Sequence, residues 1–197
     1  MWALNDYKTV FIAAELIGVL VCCIPSVMVF VRLPPGETFS ELYVLGSEHM
    51  MEDYPSNVTS GVDYLVYVGV VNHLGNAAYY EVLVKFRNET DPLPNSTSMT
   101  PSALSPLYTY RVFLDDNGTS EVPLTFSFSS TSFSGGQSTV GSLTINGVQS
   151  LVDKSSSWDA VNSGYYYQLF VELWVYGPAS DGFTYNNRFV SLWLKLA

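Results

Sequence analysis

One long apolar run near the amino terminus constrains this chain more than any other feature. Residues 10–31 read VFIAAELIGVLVCCIPSVMVFV, in which Glu15 is the only charged side chain. As a helix rising ~1.5 Å per residue, the run spans about 33 Å and can cross a hydrocarbon core of ~30 Å. A cleaved signal peptide has a shorter apolar stretch, of ~7–15 residues, followed by a small-residue cleavage site, which residues 32–36 do not supply. We therefore predict a retained transmembrane helix within residues 1–33 and a separate domain over residues 34–197.

Two residues of the run are candidate contacts with a partner inside the bilayer. Pro25 removes one i→i−4 hydrogen bond, so we expect a kink just before it. Glu15 is costly in lipid, where a carboxyl group is protonated, paired or turned toward another protein chain. Three alternatives stay open for Glu15: a snorkelling or neutral group near the interface, packing against a partner helix, and an ion-conducting role.

The orientation of the helix is predicted from the rest of the chain. Lys8 and Arg32 flank the run on opposite sides, so the positive-inside rule gives nearly balanced counts. Four Asn-X-Thr sequences are N-glycosylation acceptors, which belong outside the cell. With an acidic composition (8 Lys and Arg against 18 Asp and Glu), they predict a single-pass cell-membrane protein with its amino terminus inside and its carboxy-terminal domain outside. The candidate glycosylation sites are Asn57, Asn88, Asn95 and Asn117.

The outer domain has the sequence pattern of a β-sandwich. Hydrophobic residues alternate with polar ones in short runs that Gly, Pro, Asn, Asp and Ser clusters separate. The fold prediction is mainly β: an amino-terminal transmembrane helix followed by an immunoglobulin-like antiparallel β-sandwich. Asn146-Gly147 predicts a two-residue hairpin turn, and 91–107 and 153–163 are predicted as long loops, mobile or facing a partner. The predicted strands are 39–45, 65–71, 79–86, 108–114, 123–128, 140–145, 165–176 and 189–196.

Residue counts argue against catalysis and nucleic-acid binding. A net charge of −10 disfavours contact with phosphates. His49 and His73 are the only histidines, and the only thiols, Cys22 and Cys23, lie in the apolar run, which leaves the outer domain without a disulfide. Neither zinc-ligand spacing nor a G-x-S-x-G nucleophile elbow occurs. We therefore expect no enzyme, no catalytic residues, no metal and no cofactor.

Large aromatic residues recur on one face of the last two predicted strands. If the alternating Leu and Val residues line the core, the aromatic face points outward and is a candidate contact surface. Three alternatives stay open: a loop or a membrane-proximal segment covers this face, another protein binds it, or a carbohydrate stacks on it. The candidate residues are Phe170, Trp174, Tyr176, Phe189 and Trp193.

Four blocks of the sequence carry a resemblance to a known family. They read TFSELYVLG at 38–46, EDYPSNVT at 52–59, YVGVVNH at 67–73 and NRFVSLWL at 187–194. They resemble the FTEFYxLG-like strand, the YPTNLTxG-like turn, the VGIVNHE-like strand and the YRSLxLWV-like closing strand of an archaeal membrane-protein family, domain of unknown function 1616. The chain departs from that pattern at Leu74, where the family tends to have Glu, and in having one transmembrane helix where larger relatives have several.

The resemblance covers the anchor, the first strands and the closing strand, whereas residues 90–180 match loosely. It implies an archaeal envelope protein with an immunoglobulin-like outer domain, and it brings neither an established activity nor catalytic residues. Our leading prediction is a non-enzymatic, membrane-anchored accessory or structural subunit of a larger envelope complex, with the bilayer and other envelope proteins as partners.

Two alternatives to this function remain. The first is a pilin-like filament or coat subunit, because FIAAEL at 11–16 resembles the start of a type IV pilin, although Val10 stands where the processing peptidase prefers Gly or Ala. The second is a carbohydrate-binding accessory of a glycosylation system, with surface glycans as partners.

Overall fold

The computed structural model of the protein describes residues 3–30, 37–178 and 180–196; within the helix, side chains are described from residue 7 to residue 24. The chain divides into two compact units, Met1–Glu37 and Thr38–Ala197. In the described part, the first unit contains one helix and the second contains ten strands.

Helix α1 spans Ala3–Phe30 and continues past Pro25. Its segment Tyr7–Ile24 is long and apolar enough to cross a membrane, and its side chains are exposed. Such a helix fits a single-pass membrane anchor. The Pro25 side chain and residues 31–36, which include Arg32, lie outside the described part, so the kink stays a prediction.

The second unit is a sandwich of two five-stranded sheets, and this confirms the predicted fold class. The first sheet has the order β1-β3-β6-β7-β8 and the second β2-β10-β9-β4-β5. Neighbouring strands are antiparallel, except that the two-residue strand β2 pairs with β10 in parallel. The strands are β1 Phe39–Leu45, β2 Asn57–Val58, β3 Tyr64–His73, β4 Ala78–Asn88, β5 Tyr108–Leu114, β6 Thr119–Ser134, β7 Gln137–Ile145, β8 Val148–Ser157, β9 Tyr165–Gly177 and β10 Gly182–Leu196.

Strand β8 corrects the sequence prediction, which placed a long loop over 153–163. The predicted turn does occur: Asn146 and Gly147 have φ of 46° and 80°, the left-handed pair that a tight hairpin needs. The chain then pairs with β7 as far as Ser157. This strand is the edge of its sheet and Leu151 is 82% exposed. Backbone pairing rather than apolar alternation therefore defines β8, which is why the sequence pattern missed it.

The core lies between the two sheets and is rich in aromatic rings. Phe86 stacks on Tyr167 with ring centroids 5.4 Å apart and meets Phe128 edge-on at 5.5 Å. The Tyr167 hydroxyl lies 2.7 Å from Ser138 Oγ, so the buried phenol has a partner. Because the cysteines lie in the helix, the sandwich is held together without a disulfide, by this packing and the strand pairing.

Candidate functional site

The outer face of the second sheet carries the predicted aromatic residues. On β9, Leu169 and Leu173 belong to the core between the sheets, whereas Phe170 is buried without belonging to it. The outward side chains of β9 and β10 are therefore the alternate ones, as the sequence pattern indicates. This face has three parts: a covered centre and an exposed region at each end.

The β4–β5 loop, residues 89–107, covers the centre. The backbone N–H of Ser102 donates to Glu172 Oε1 at 2.8 Å, and Lys85 Nζ donates to the carbonyl oxygen of Ser102 at 2.8 Å. Phe170 pairs with Lys85 across β9 and β4 and is fully buried. Phe170 is therefore not part of a contact surface, and the prediction that 91–107 is mobile or faces a partner is wrong where the loop is anchored at Ser102.

Beneath this loop lies a buried ion pair. Lys85 Nζ lies 2.9 Å from Glu172 Oε2, and the two side chains are 3% and 0% exposed. The Glu172 carboxylate also accepts a hydrogen bond from the indole Nε1–H of Trp174 at 3.1 Å. With the N–H of Ser102, three donors satisfy this carboxylate, which a buried charge requires. Trp174, predicted as a partner contact, is thus half-buried and bound within its own domain.

A bulge in β10 lies beside the covered centre. The register against β9 shifts between Tyr185 and Arg188, and Asn187 adopts a left-handed φ of 56°. The side-chain amide of Asn187 donates to the carbonyl oxygen of Ser96 in the β4–β5 loop at 3.3 Å. The bulge therefore gives the loop a second attachment point on this face. Next to the bulge, burial and then the charge of Glu172 raise the pKa of Tyr185 to about 12.

At one end of the face, four rings form a cluster that we call the aromatic surface: Tyr79, Phe113, Tyr176 and Phe183. Phe183 lies 5.3 Å from Tyr79 and 5.6 Å from Tyr176 between ring centroids. Phe113 is 65% exposed and Tyr176 37%. The guanidinium of Arg111 sits 4.9 Å above the Phe183 ring.

A depression of about 340 Å³ adjoins the aromatic surface, and its lining includes Leu74, Ala78, Phe113, Tyr176 and Pro178. Of the four rings, only Tyr176 was indicated by the sequence pattern. The others come from three further strands, and only the pairing of Tyr79 with Phe113 across β4 and β5 and of Tyr176 with Phe183 across β9 and β10 brings them together.

At the other end of the face lies an open cleft of about 330 Å³, which we call the Trp193 cleft. Trp193 is 51% exposed and meets the Tyr166 ring at a 78° angle, with centroids 6.4 Å apart. Phe189, on the same strand, is half-buried. The sequence pattern indicated Trp193 but not the loop residues beside it. The cleft is lined by Glu89, Asp159, Asn162, Tyr166 and Trp193.

The four candidate glycosylation sites differ in availability. Asn57, Asn95 and Asn117 are exposed. Asn117 Nδ2 donates to Asp116 Oδ2 at 3.0 Å. Asn88 is half-buried, and its Nδ2, the atom to which a glycan would attach, donates to the carbonyl oxygen of Ser155 at 2.8 Å. Asn88 is thus the least accessible acceptor in the folded domain.

Glu15 is exposed on the helix surface. Within residues 3–30, 37–178 and 180–196, no group of three or more His, Cys, Asp or Glu side chains is arranged to hold a metal ion.

Solved structures with a similar chain fold share little sequence with this one. The β-glucosidase from Listeria innocua in complex with isofagomine is 13% identical with a TM-score of 0.41, over 81% of this chain and 16% of that one. The CARDB domain of a Pyrococcus furiosus protein, in complex with di-metal ions, is 9% identical with a TM-score of 0.41, over 84% and 94%. A chain of the complex between zinc 2-glycoprotein and prolactin inducible protein, from human seminal plasma, is 10% identical with a TM-score of 0.39, over 84% and 100%.

This chain thus spans about one sixth of the length of the β-glucosidase. No curated protein matches the sequence.

A family model does match. The match covers residues 33–134, just over half of the chain, and extends from before β1 to the end of β6. The match includes residues 90–134, where the sequence motifs resembled the family only loosely. It does not include the anchor helix or the closing strand, where the motifs did resemble the family. The chain belongs to the family described as domain of unknown function DUF1616.

Proposed function

We propose that this protein is a non-enzymatic, single-pass membrane protein of an archaeal envelope. Its outer β-sandwich docks onto another envelope protein, so that the chain serves as an accessory or structural subunit of a membrane complex. The observation that carries this proposal is the aromatic surface, with Phe113 65% exposed beside a depression of about 340 Å³.

The aromatic surface has the properties of a protein-binding patch. Aromatic and Arg side chains are enriched among the residues that dominate binding energy at interfaces. Here the rings of Tyr79, Tyr176 and Phe183 pack against one another, and Arg111 is held by Glu81 at 2.8 Å and by the Phe183 ring. Because these side chains are ordered before binding, little conformational entropy is lost when a partner covers them.

The docking function is tested by the size of the native complex. Membranes from cells that carry the Phe113→Ser/Tyr176→Ser variant are solubilised gently and separated by native electrophoresis. We expect the high-mass species to disappear, because the variant removes the two most exposed rings of the aromatic surface. The matched control is Leu151→Ser, on β8 of the other sheet and 82% exposed. A high-mass species that persists in the double variant, while melting curves show a folded protein, contradicts the proposal.

The proposed orientation has its own test. Since Cys22 and Cys23 are the only cysteines, a Cys22→Ser/Cys23→Ser background carries no thiol. Ser105→Cys then places one thiol at an exposed position of the β4–β5 loop. We expect a membrane-impermeant maleimide to label this thiol in intact cells, and labelling only after lysis would place the sandwich inside.

A further inference from the structure

The Trp193 cleft has one aromatic wall and one polar wall. Trp193 and Tyr166, from neighbouring strands β10 and β9, form the first. Glu89, Asp159 and Asn162, from the two loops that flank the cleft, form the second. The volume of about 330 Å³ lies at the lower end of the ~300–1,000 Å³ that small-molecule sites occupy.

The polar wall is ordered by its own hydrogen bonds. Asp159 and Gly164 exchange two backbone hydrogen bonds, at 2.9 and 3.2 Å, which close a six-residue loop. Asp159 Oδ1 accepts the backbone N–H groups of Val161 and Asn162, and Oδ2 accepts the Asn162 side-chain amide at 2.7 Å. The Tyr166 hydroxyl donates to the carbonyl oxygen of Asn162 at 2.9 Å, which ties the loop to the aromatic wall.

These contacts also fix the charge of the cleft. The hydrogen bonds from Asn162, side chain first, hold the pKa of Asp159 below its ordinary value, so the carboxylate stays ionised in mild acid. Two cations stand near this wall. Lys195 Nζ donates to the carbonyl oxygen of Asn162 at 3.4 Å, and the buried guanidinium of Arg87 donates to the carbonyl oxygen of Glu89 at 2.7 Å and attracts its carboxylate. Among the described residues, neither Glu89 nor Asp159 forms an ion pair.

An aromatic wall facing two carboxylates favours one class of ligand over the others. An apolar molecule would desolvate two carboxylates without replacing their hydrogen bonds, and an anion would be repelled by them. An organic cation would be repelled by Lys195 and by Arg87 beside Glu89. A polyol with an apolar face satisfies both walls, because its C–H groups rest on the electron-rich face of the indole while its hydroxyls donate to carboxylates and accept from the ammonium group.

We propose that the Trp193 cleft binds a neutral saccharide, with one pyranose ring stacked on Trp193 and its hydroxyl groups donating to Glu89 and Asp159. This site lies at the opposite end of the outer face from the aromatic surface, and the proposal does not depend on protein docking. For one sugar ring, the usual affinity per heavy atom of a small ligand corresponds to a dissociation constant on the order of 1–10 mM.

The test uses the full chain in phospholipid nanodiscs, which avoids detergents with sugar headgroups. Methyl α-D-mannoside, methyl β-D-glucoside and methyl β-D-galactoside are titrated separately through the millimolar range. Saturation-transfer NMR on the sugar protons reports binding, and the ¹⁹F resonance of 5-fluorotryptophan at Trp193 reports its location. We expect at least one glycoside to show saturable transfer together with a saturable shift of the Trp193 resonance.

Variants complete the test. Trp193→Ala abolishes saturation transfer, and Glu89→Gln weakens binding about tenfold, because a hydroxyl bond to a carboxylate becomes a bond to a neutral amide. Phe113→Ala, an exposed aromatic at the other end of the same face, leaves binding unchanged. The proposal is overturned if no glycoside binds, if binding survives Trp193→Ala, or if arginine amide or calcium chloride shifts the Trp193 resonance while the glycosides do not.

Discussion

The outer faces of the two sheets both carry acid–base pairs, but in opposite surroundings. On the first sheet, His49 Nδ1 lies 2.9 Å from Glu121 Oε2, and the two side chains are 51% and 31% exposed. On the second sheet, Lys85 lies the same 2.9 Å from Glu172, at 3% and 0% exposure. The difference is the β4–β5 loop, which covers the second pair.

Equal distances therefore have unequal energetic consequences. An exposed pair is screened by water and contributes about 0–1 kcal/mol to stability. A buried pair adds little over apolar residues of the same size, but neither partner can be removed alone, since a single buried charge is very unfavourable. Coverage by the loop thus makes each charge of the pair a requirement for the stability of the other.

The largest expected effect comes from removing one buried charge. Lys85→Met leaves Glu172 as an unpaired buried carboxylate, and we expect the free energy of unfolding to fall by about 3–5 kcal/mol. Denaturant titration of the full chain, followed by tryptophan fluorescence, measures this loss. His49→Gln, the matched change on the first sheet, should lower stability by less than about 1 kcal/mol.

The double variant Lys85→Met/Glu172→Leu tests the reason for that effect. Because it removes both charges, it should recover much of the stability that Lys85→Met loses, although the N–H groups of Ser102 and Trp174 also lose their acceptor. If Lys85→Met and His49→Gln destabilise equally, burial does not distinguish the two faces.

The sequence pattern predicted the two faces of β9 and β10, and it left open whether a loop covers the aromatic face. Alternation of Leu169 and Leu173 with Phe170 and Trp174 divides a strand into two sides, because side chains alternate every residue. It does not say which side a loop crosses. That information lies in a contact between Ser102 and Glu172, 70 positions apart, and the Pro and Ser residues around Ser102 indicate a loop without indicating what it contacts.

The fold was predictable where apolar alternation is strong and not where backbone pairing alone makes a strand. Strands β4 and β10 follow their alternation, whereas the edge strand β8 and the two-residue β2 do not. The same limit applies to the candidate sites. Trp193 could be selected as a large aromatic residue on an outward face, but Asp159 and Glu89 reach the cleft through loops whose positions the sequence pattern does not fix.

An intermediate effect is expected for the indole that binds the buried carboxylate. Trp174→Phe keeps an aromatic ring but removes the Nε1–H that donates to Glu172 Oε2 at 3.1 Å. We expect a loss of about 1–3 kcal/mol, since hydrogen bonds to buried charged groups are among the stronger ones. Trp193→Phe, at a half-exposed position of the same face, should change stability by less than about 0.5 kcal/mol in the same denaturant titration. Equal losses would mean that Trp174 contributes only as an aromatic surface.

The smallest expected effect is a pH-dependent one on the first sheet. Hydrogen bonds from His49 and then from Tyr43 hold the pKa of Glu121 below its ordinary value. A carboxyl whose pKa is lower in the folded state stabilises the fold above its unfolded pKa, and this contribution is lost as pH falls through the folded pKa. Wild type should therefore exceed Glu121→Gln in stability by less than about 1 kcal/mol near neutral pH, and the difference should disappear in acid.

The dependence of stability on salt distinguishes the exposed His49–Glu121 pair from the buried Lys85–Glu172 pair. Raising the ionic strength should shrink the small difference between wild type and Glu121→Gln, because exposed charges are screened over about 8–10 Å at physiological salt and over shorter distances above it. The loss caused by Lys85→Met should change little, since ions do not enter beneath the β4–β5 loop. A salt-sensitive Lys85→Met would show that the loop opens to solvent, and the contrast between the two faces would then be one of degree.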